Sequence, residues 1–394
     1  MTPHMTLEHA PAARAALALA LMLAITACRD SRPQPAPPMV EPVTERSATG
    51  AALTAGAPAT PPAVDAASRS GRQGNELGRI PVLEYHLIGD SAKKSMWVVE
   101  PARFRRHLEM LYERGYRPLT VSEMVDKSFE LPAGMSPVVF TFDDASPSQF
   151  RYIEKDGVLE IDPTSAVGIW LDFAKTRPDW RPRATFCLLP TARHGHAFFG
   201  EKDIQGQKSE WRHRKVRWLA ENGFELCNHT LYHVNLGKVS DSVVQEQIAR
   251  GVMAIDSAVP GYRIRTFALP LGVWPKNREL ARKGSWREPR SGRVVSYEFD
   301  AILEVAGGPA KSPYDPTYSP LSIKRFIVFD GKLEELLDQM DRQGTRYVSD
   351  GDPSTVARPP VARSTARVVT HSPGSIAAES DSAGARGRAV RARE

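Results

Sequence analysis

The stretch Val138–Ser148, VVFTFDDASPS, runs a hydrophobic, strand-like segment into two adjacent carboxylates, Asp143 and Asp144, and then into small and turn-forming residues. Neighbouring aspartates repel each other and lose hydration at a buried strand end, so the pair asks for a metal, a proton or a basic partner beside it. A solvated turn with a helix N-cap is the competing reading of the same letters. Further strand candidates are IPVLEYHLI (80–88), ATFCLLP (184–190), FELCNH (224–229), IRTFALPLG (264–272), DAILEV (300–305) and IKRFIVF (323–329). Several are continuously apolar, as strands buried on both faces should be. Helical patterns fall between them: PARFRRHLEMLYERGY with Gly115 as a stop, WRHRKVRWLAENG, SDSVVQEQIARGVMAIDSA opened by Ser240, and GKLEELLDQMDRQG. Such alternation predicts an α/β fold around a parallel sheet, closed or open, with its site at the carboxyl ends of the strands. Asp143 and Asp144 end one strand and His229 ends another, so all three belong on one rim.

Asn228–His233, NHTLYH, places two histidines four residues apart, which lets both imidazoles face one point when the backbone is helical or tightly turned. One carboxylate and two imidazoles make a good ligand set for Zn²⁺ or another divalent metal. A histidine pair alone is more often a surface or core feature, but beside an Asp-Asp strand end the balance moves to a metal. Asn228 and Thr230 either tune the ligands or hold the turn by hydrogen bonds.

With these pieces in order, IPVLEYHLI, TFDD (141–144), RATFCLLP (183–190), HTLYH (229–233) and FALPLG (267–272), the chain resembles the polysaccharide deacetylases with a NodB-type domain, carbohydrate esterase family 4. The resemblance spans roughly residues 79 to 349 and implies a distorted (β/α) barrel. It implies a divalent metal, zinc ahead of cobalt, nickel or manganese, held by Asp144, His229 and His233, with Asp143 as general base. It also implies that Pro270, Leu271 and Gly272 line the substrate groove, the Leu271 N–H meeting an oxyanion; the turn after a strand explains the same residues without a substrate. The expected activity is hydrolysis of N-acetyl groups on peptidoglycan or an exported polysaccharide. A glycan-binding lipoprotein on the same fold and a hydrolase of a non-sugar amide are the alternatives.

The chain departs from the family pattern twice. Many members carry an arginine two residues before the proline of PLG to orient the base, where this chain has Ala268 and, nearest to it, Arg265. Many carry a late histidine as general acid, where LSIKRFIVF offers Lys324 and Arg325. An arginine is too weak an acid to donate a proton, so Arg325 stabilises an oxyanion or makes a salt bridge. His86 reads as a satisfied histidine near the site. The long connection from Ala145 to Pro182, with Phe150, Tyr152, Trp170 and Phe173, either folds over the rim or forms a hydrophobic cluster beneath a loop.

The flanks differ in kind. Ala15–Ile25, AALALALMLAI, suits a signal-peptide core, and ITAC (25–28) resembles a bacterial lipobox, which implies lipid attachment at Cys28 and an outer-facing envelope location. Residues 1–28 are thus expected as a signal peptide, 29–78 as a Pro/Ala-rich tether and 350–394 as a disordered tail, because neither flank carries enough apolar residues to offset the entropy of ordering. A net charge of +6 over 394 residues, with no basic stripe interleaved with aromatics, argues against nucleic acid as a partner. Cys187 and Cys227 lie in apolar strands and are expected as buried free thiols.

Overall fold

The computed structural model describes residues 73–90, 95–191, 197–329 and 331–358. Eight parallel strands carry the fold: β1 (Val82–Tyr85), β2 (Tyr116–Leu119), β3 (Ser136–Asp143), β4 (Thr185–Leu188), β5 (Glu225–Asn228), β6 (Thr266–Ala268), β7 (Ala301–Leu303) and β8 (Phe326–Ile327). Seven follow the order β7-β6-β5-β4-β3-β1-β8, and β2 pairs with the first half of β3. The curled sheet is joined at its ends, because Ile323 bridges Leu303 of β7 while Phe326 pairs with Leu83 of β1. The result is a distorted barrel of the expected kind.

Strand alternation sorts every side chain. Val138, Phe140 and Phe142 of β3 pack outward into the main cluster with Leu83, Tyr85, Phe186, Leu226 and Phe267. Helices Pro101–Glu113, Ala166–Ala174, Trp211–Glu221, Asp241–Ala258 and Lys332–Arg342 bury their apolar faces in that same layer. Val139, Val82, Cys187, Cys227, Ala268 and Ile323 form the second cluster, inside the barrel. Polar groups share this interior. At one level Glu225 accepts from the hydroxyls of Ser122, Thr185 and Thr266 at 2.7, 2.9 and 2.6 Å.

Two expectations change, and one pair of alternatives is decided. Cys187 and Cys227 are not free thiols: they sit directly opposite on β4 and β5, both facing inward, and form a disulfide. The connection from Ala145 to Pro182 follows the second of its two readings, a hydrophobic cluster. It makes an antiparallel pair, Tyr152–Lys155 with Val158–Ile161, and the helix Ala166–Ala174, and it buries Phe150, Tyr152, Trp170, Phe173 and Trp180 in the main core. The folded body also extends beyond 79–349, since Asn75 pairs with Val348 and the Glu76 N–H donates to the Ala357 carbonyl. Among the described residues no helix is long and apolar enough to cross a membrane. Cys28 lies outside the described residues.

Candidate active site

Asp143 is the last residue of β3, and its inward parity with Val139 and Thr141 carries its carboxylate into the barrel mouth. Asp144 and Ala145 follow at φ 73° and 50°, two successive left-handed residues that turn the chain sharply at the strand end. The turn is tied down: Gln149 Nε2 donates to the carbonyls of Asp143 and His86 at 2.5 and 2.6 Å.

His229 and His233 sit on a turn, not a helix, with Thr230 and His233 at φ 67° and 55°. Every backbone N–H of the turn has an acceptor. His229 donates to Leu188 O at 3.2 Å and Leu231 to Gln247 O at 3.0 Å. Thr230 donates to Asn228 Oδ1, Tyr232 to Gln247 Oε1 and His233 to Thr230 Oγ1. Asn228 and Thr230 thus hold the turn. Asn228 itself is docked through Nδ2 to Ile248 O at 3.0 Å on the helix Asp241–Ala258.

The Nε2 atoms of His229 and His233 lie 3.5 and 3.6 Å from one atom, Asp144 Oδ1. That oxygen is buried and accepts no hydrogen bond. Ligands at about 2.0–2.2 Å around a tetrahedral ion sit about 3.4 Å from each other, so three donor atoms too far apart to bond one another are spaced for a metal between them. All three lie within 4.8 Å of one another. His229 Nδ1 is 2.9 Å from Ala268 O, which assigns its proton to Nδ1 and leaves the Nε2 lone pair for the shared point.

Asp143 is held differently. Its two oxygens accept from Nη1 and Nη2 of Arg325, each at 2.8 Å, while His229 Nε2 stands 3.9 Å away. Arg325, from the segment that closes the barrel, is fully buried; it also donates to Thr141 Oγ1 at 3.0 Å and, through Nε, to Glu304 O at 2.7 Å. Glu84 Oε2 is 3.0 Å from that Nε but takes no hydrogen bond from it. Burial drives Glu84 up to about 8 despite Arg325, so it is protonated at neutral pH. Burial also pushes both aspartates up, but Arg325 and His229 outweigh it at Asp143, and His229 does so at Asp144, so both stay below the ordinary carboxyl range. Burial and the neighbouring His229 bring His233 down to about 4, leaving it a neutral donor. At His229 the two carboxylates more than reverse the effect of burial, and the pull they exert on a proton is the pull a cation would feel.

Pro270, Leu271 and Gly272 follow β6, two residues beyond the carbonyl that His229 engages. Leu271 adopts φ 58° and leaves its side chain 56% exposed. Tyr232 and Trp97 are also exposed, and Trp97 meets the ring of His86 edge-on at 4.6 Å, with His86 Nε2 3.4 Å from Glu84. Arg265 plays no part here; it pairs with Asp126 and Asp300, both at 2.5 Å. The sequence reading did not assign Arg325 to Asp143. The available signal was a charge at an inward position of an otherwise apolar strand.

The family model described as polysaccharide deacetylase matches residues 179–284, which include His229, His233 and the Pro270–Gly272 turn. Over that stretch the chain is similar to the polysaccharide deacetylase family. A chitooligosaccharide deacetylase from Bradyrhizobium sp. (strain ANU 289) is 27% identical over 100 residues, covering 22% of this chain and 46% of that protein, so the match spans about half of the relative's length. Among solved structures, a deacetylase from Streptococcus pyogenes in complex with acetate is 19% identical with a TM-score of 0.46, over 66% of this chain and 98% of that one. A polysaccharide deacetylase from Bacillus cereus is 18% identical with a TM-score of 0.46, over 66% and 69%. Deacetylases of that family are generally metal-dependent; among the described residues here, Asp144, His229 and His233 form one group that could hold an ion, and Glu84, His86 and Asp143 form a second.

Proposed function

We propose that the protein is a metal-dependent de-N-acetylase acting on an N-acetylated glycan. The observation that carries the reading is the orphaned Asp144 Oδ1 facing two imidazole nitrogens at 3.5 and 3.6 Å, beside a second carboxylate already neutralised by arginine. Asp144, His229 and His233 would hold the ion, and zinc fits a one-carboxylate, two-imidazole set best. When bound, a divalent cation supplies Lewis acidity toward the acetyl carbonyl and toward water. Asp143, fixed by Arg325 and kept ionised, accepts the proton that water gives up as its oxygen adds to the carbonyl carbon. As the C–N bond breaks, the same carboxyl returns that proton to the departing nitrogen, since no histidine stands at the late position. Acetate and a free amine are the products. The Pro270–Gly272 turn supports the oxyanion through a backbone N–H, that of Leu271.

The reading extends to the envelope. Ala15–Ile25 and the following ITAC support a lipid anchor at Cys28, which would place the domain on the outer side of a bacterial membrane, within reach of peptidoglycan or an exported N-acetylglucosamine polymer. Domain limits follow: signal peptide 1–28, tether from 29, and catalytic domain thereafter.

The test is acetate release from chitooligosaccharides, peptidoglycan and poly-N-acetylglucosamine by protein purified free of metal and reloaded with zinc, cobalt, nickel or manganese, with Asp143→Asn as control. Release that requires the ion and falls at least about 100-fold in the variant supports the reading. Binding without release points to a glycan-binding lipoprotein, and release only from non-sugar amides to the other hydrolase; either outcome overturns it.

A further inference from the structure

We propose that Arg325 is the positioning residue of the base, so that the strand which closes the barrel also sets the catalytic geometry. This rests on reading Asp143 as the base. Among the described residues, Arg325 is the only side chain donating hydrogen bonds to that carboxylate, and it does so from both terminal nitrogens at 2.8 Å. A two-pronged contact fixes the plane of the carboxylate as well as its position, and it leaves each oxygen a second lone pair for water. The guanidinium is itself immobilised by Thr141 Oγ1 at 3.0 Å on β3 and by Glu304 O at 2.7 Å just past β7. Its backbone belongs to the seam: the Arg325 carbonyl accepts from Gly308 N–H at 2.8 Å, and Ile323 and Phe326 pair to opposite ends of the sheet.

At the position where the family pattern expects this arginine the chain has Ala268. Ala268 is fully buried in the interior cluster that holds Cys187 and Cys227, and its carbonyl is committed to His229. Arg325 reaches the same carboxylate from the other side of the seam.

A purely structural role, holding the seam shut, is the rival explanation. The two separate in the kcat against KM split and in metal retention. For the full zinc-loaded chain acting on N-acetylated oligosaccharide, Arg325→Lys keeps the charge but loses the fork. It is expected to lower kcat about 100-fold, with KM within about threefold, zinc still one per chain and the melting temperature little changed. Unchanged kcat overturns the proposal, as does a loss of activity in a folded variant that is matched by loss of zinc. If Arg325→Lys does not fold, the pair Glu84→Gln with Arg325→Gln takes its place, removing the guanidinium together with the carboxyl beside its Nε. The same kcat loss is expected from it, and full activity overturns the proposal. A wild type that releases no acetate, or an Asp143→Asn variant with full activity, would refute the base itself. An active wild type, an impaired Asp143→Asn and an unimpaired Arg325→Lys would refute only the role of Arg325.

Discussion

His229 presents its Nδ1 to the carbonyl oxygen of Ala268 at 2.9 Å, and this one bond decides which nitrogen faces Asp144. With the proton held at Nδ1, the Nε2 lone pair is aimed at the point it shares with His233 and Asp144. His229→Ala or Asp144→Asn should therefore abolish stoichiometric zinc binding, weakening it by at least about 100-fold, as equilibrium dialysis with metal analysis would show. Zinc at about 100 times its dissociation constant should stabilise the wild type by about 2.7 kcal/mol, and the variants by nothing measurable in thermal melts.

Gly251 lies in the middle of a helix because Asn228 occupies the space beside it: a Cβ there would stand 2.8 Å from Asn228 Oδ1 and 2.9 Å from Nδ2. On an exposed helix, Gly→Ala gains up to about 1 kcal/mol. Here Gly251→Ala should instead cost about 1–3 kcal/mol in urea unfolding and weaken zinc binding, since Asn228 holds the turn that carries both histidines.

Trp97 is 40% exposed beside His86, and Tyr232, 44% exposed, lies between the two histidines in sequence. Flat aromatic faces near the site suit the apolar face of a pyranose. Trp97→Ala should raise KM for a tetrasaccharide roughly three- to tenfold with kcat nearly unchanged, and Trp97→Phe should recover most of it. An unaltered KM would remove Trp97 from the substrate path.

The disulfide joins neighbouring strands directly beneath the rim that carries Asp144 and His229, with Cys187 in register with both Asp143 and Cys227. It closes a loop of 40 residues. The loop-entropy argument assigns it about 4 kcal/mol. Cys187→Ala with Cys227→Ala should lower the unfolding free energy by an amount of that order, read by denaturant titration against the oxidised wild type.

Lys215 is buried, its Nζ donating to Phe199 O at 2.7 Å and Gln207 Oε1 at 2.6 Å. Burial, with a smaller push from Arg151, brings it down to about 7. Between about pH 7 and its unfolded value near 10.4, the unfolded chain binds the proton and the folded chain does not, so stability rises with pH across that window. Relative to Lys215→Met, the wild type should gain about 3.5 kcal/mol from pH 7 to pH 10, in unfolding titrations run at each pH. A flat difference would show that the two oxygen acceptors keep the ammonium charged.

Much of the fold and half of the site were legible because they are local. Continuous apolar runs marked seven of the eight barrel strands, and β2, YRPL, escaped because its arginine and proline break such a run. The two hairpin-like pairs outside the barrel, 152–161 and 283–298, escaped as well, since half-exposed alternation over four or five residues resembles a polar loop. Asp144, His229 and His233 could be brought together on paper because parallel strands deliver their carboxyl ends to one rim.

From its residues alone, this chain determined the strand and helix alternation, the inward and outward alternation along each strand, and the chemical types gathered at one rim. Only the tertiary structure decided which inward residues are neighbours. Cys187 bonds Cys227 across 40 residues, and Arg325 grips Asp143 across 182. Both contacts depend on strand order, register and the closure of the sheet, which are set by packing of the whole barrel and leave no local trace. A strand's own pattern reports the face each side chain occupies; the partner it meets there is a property of the assembled sheet.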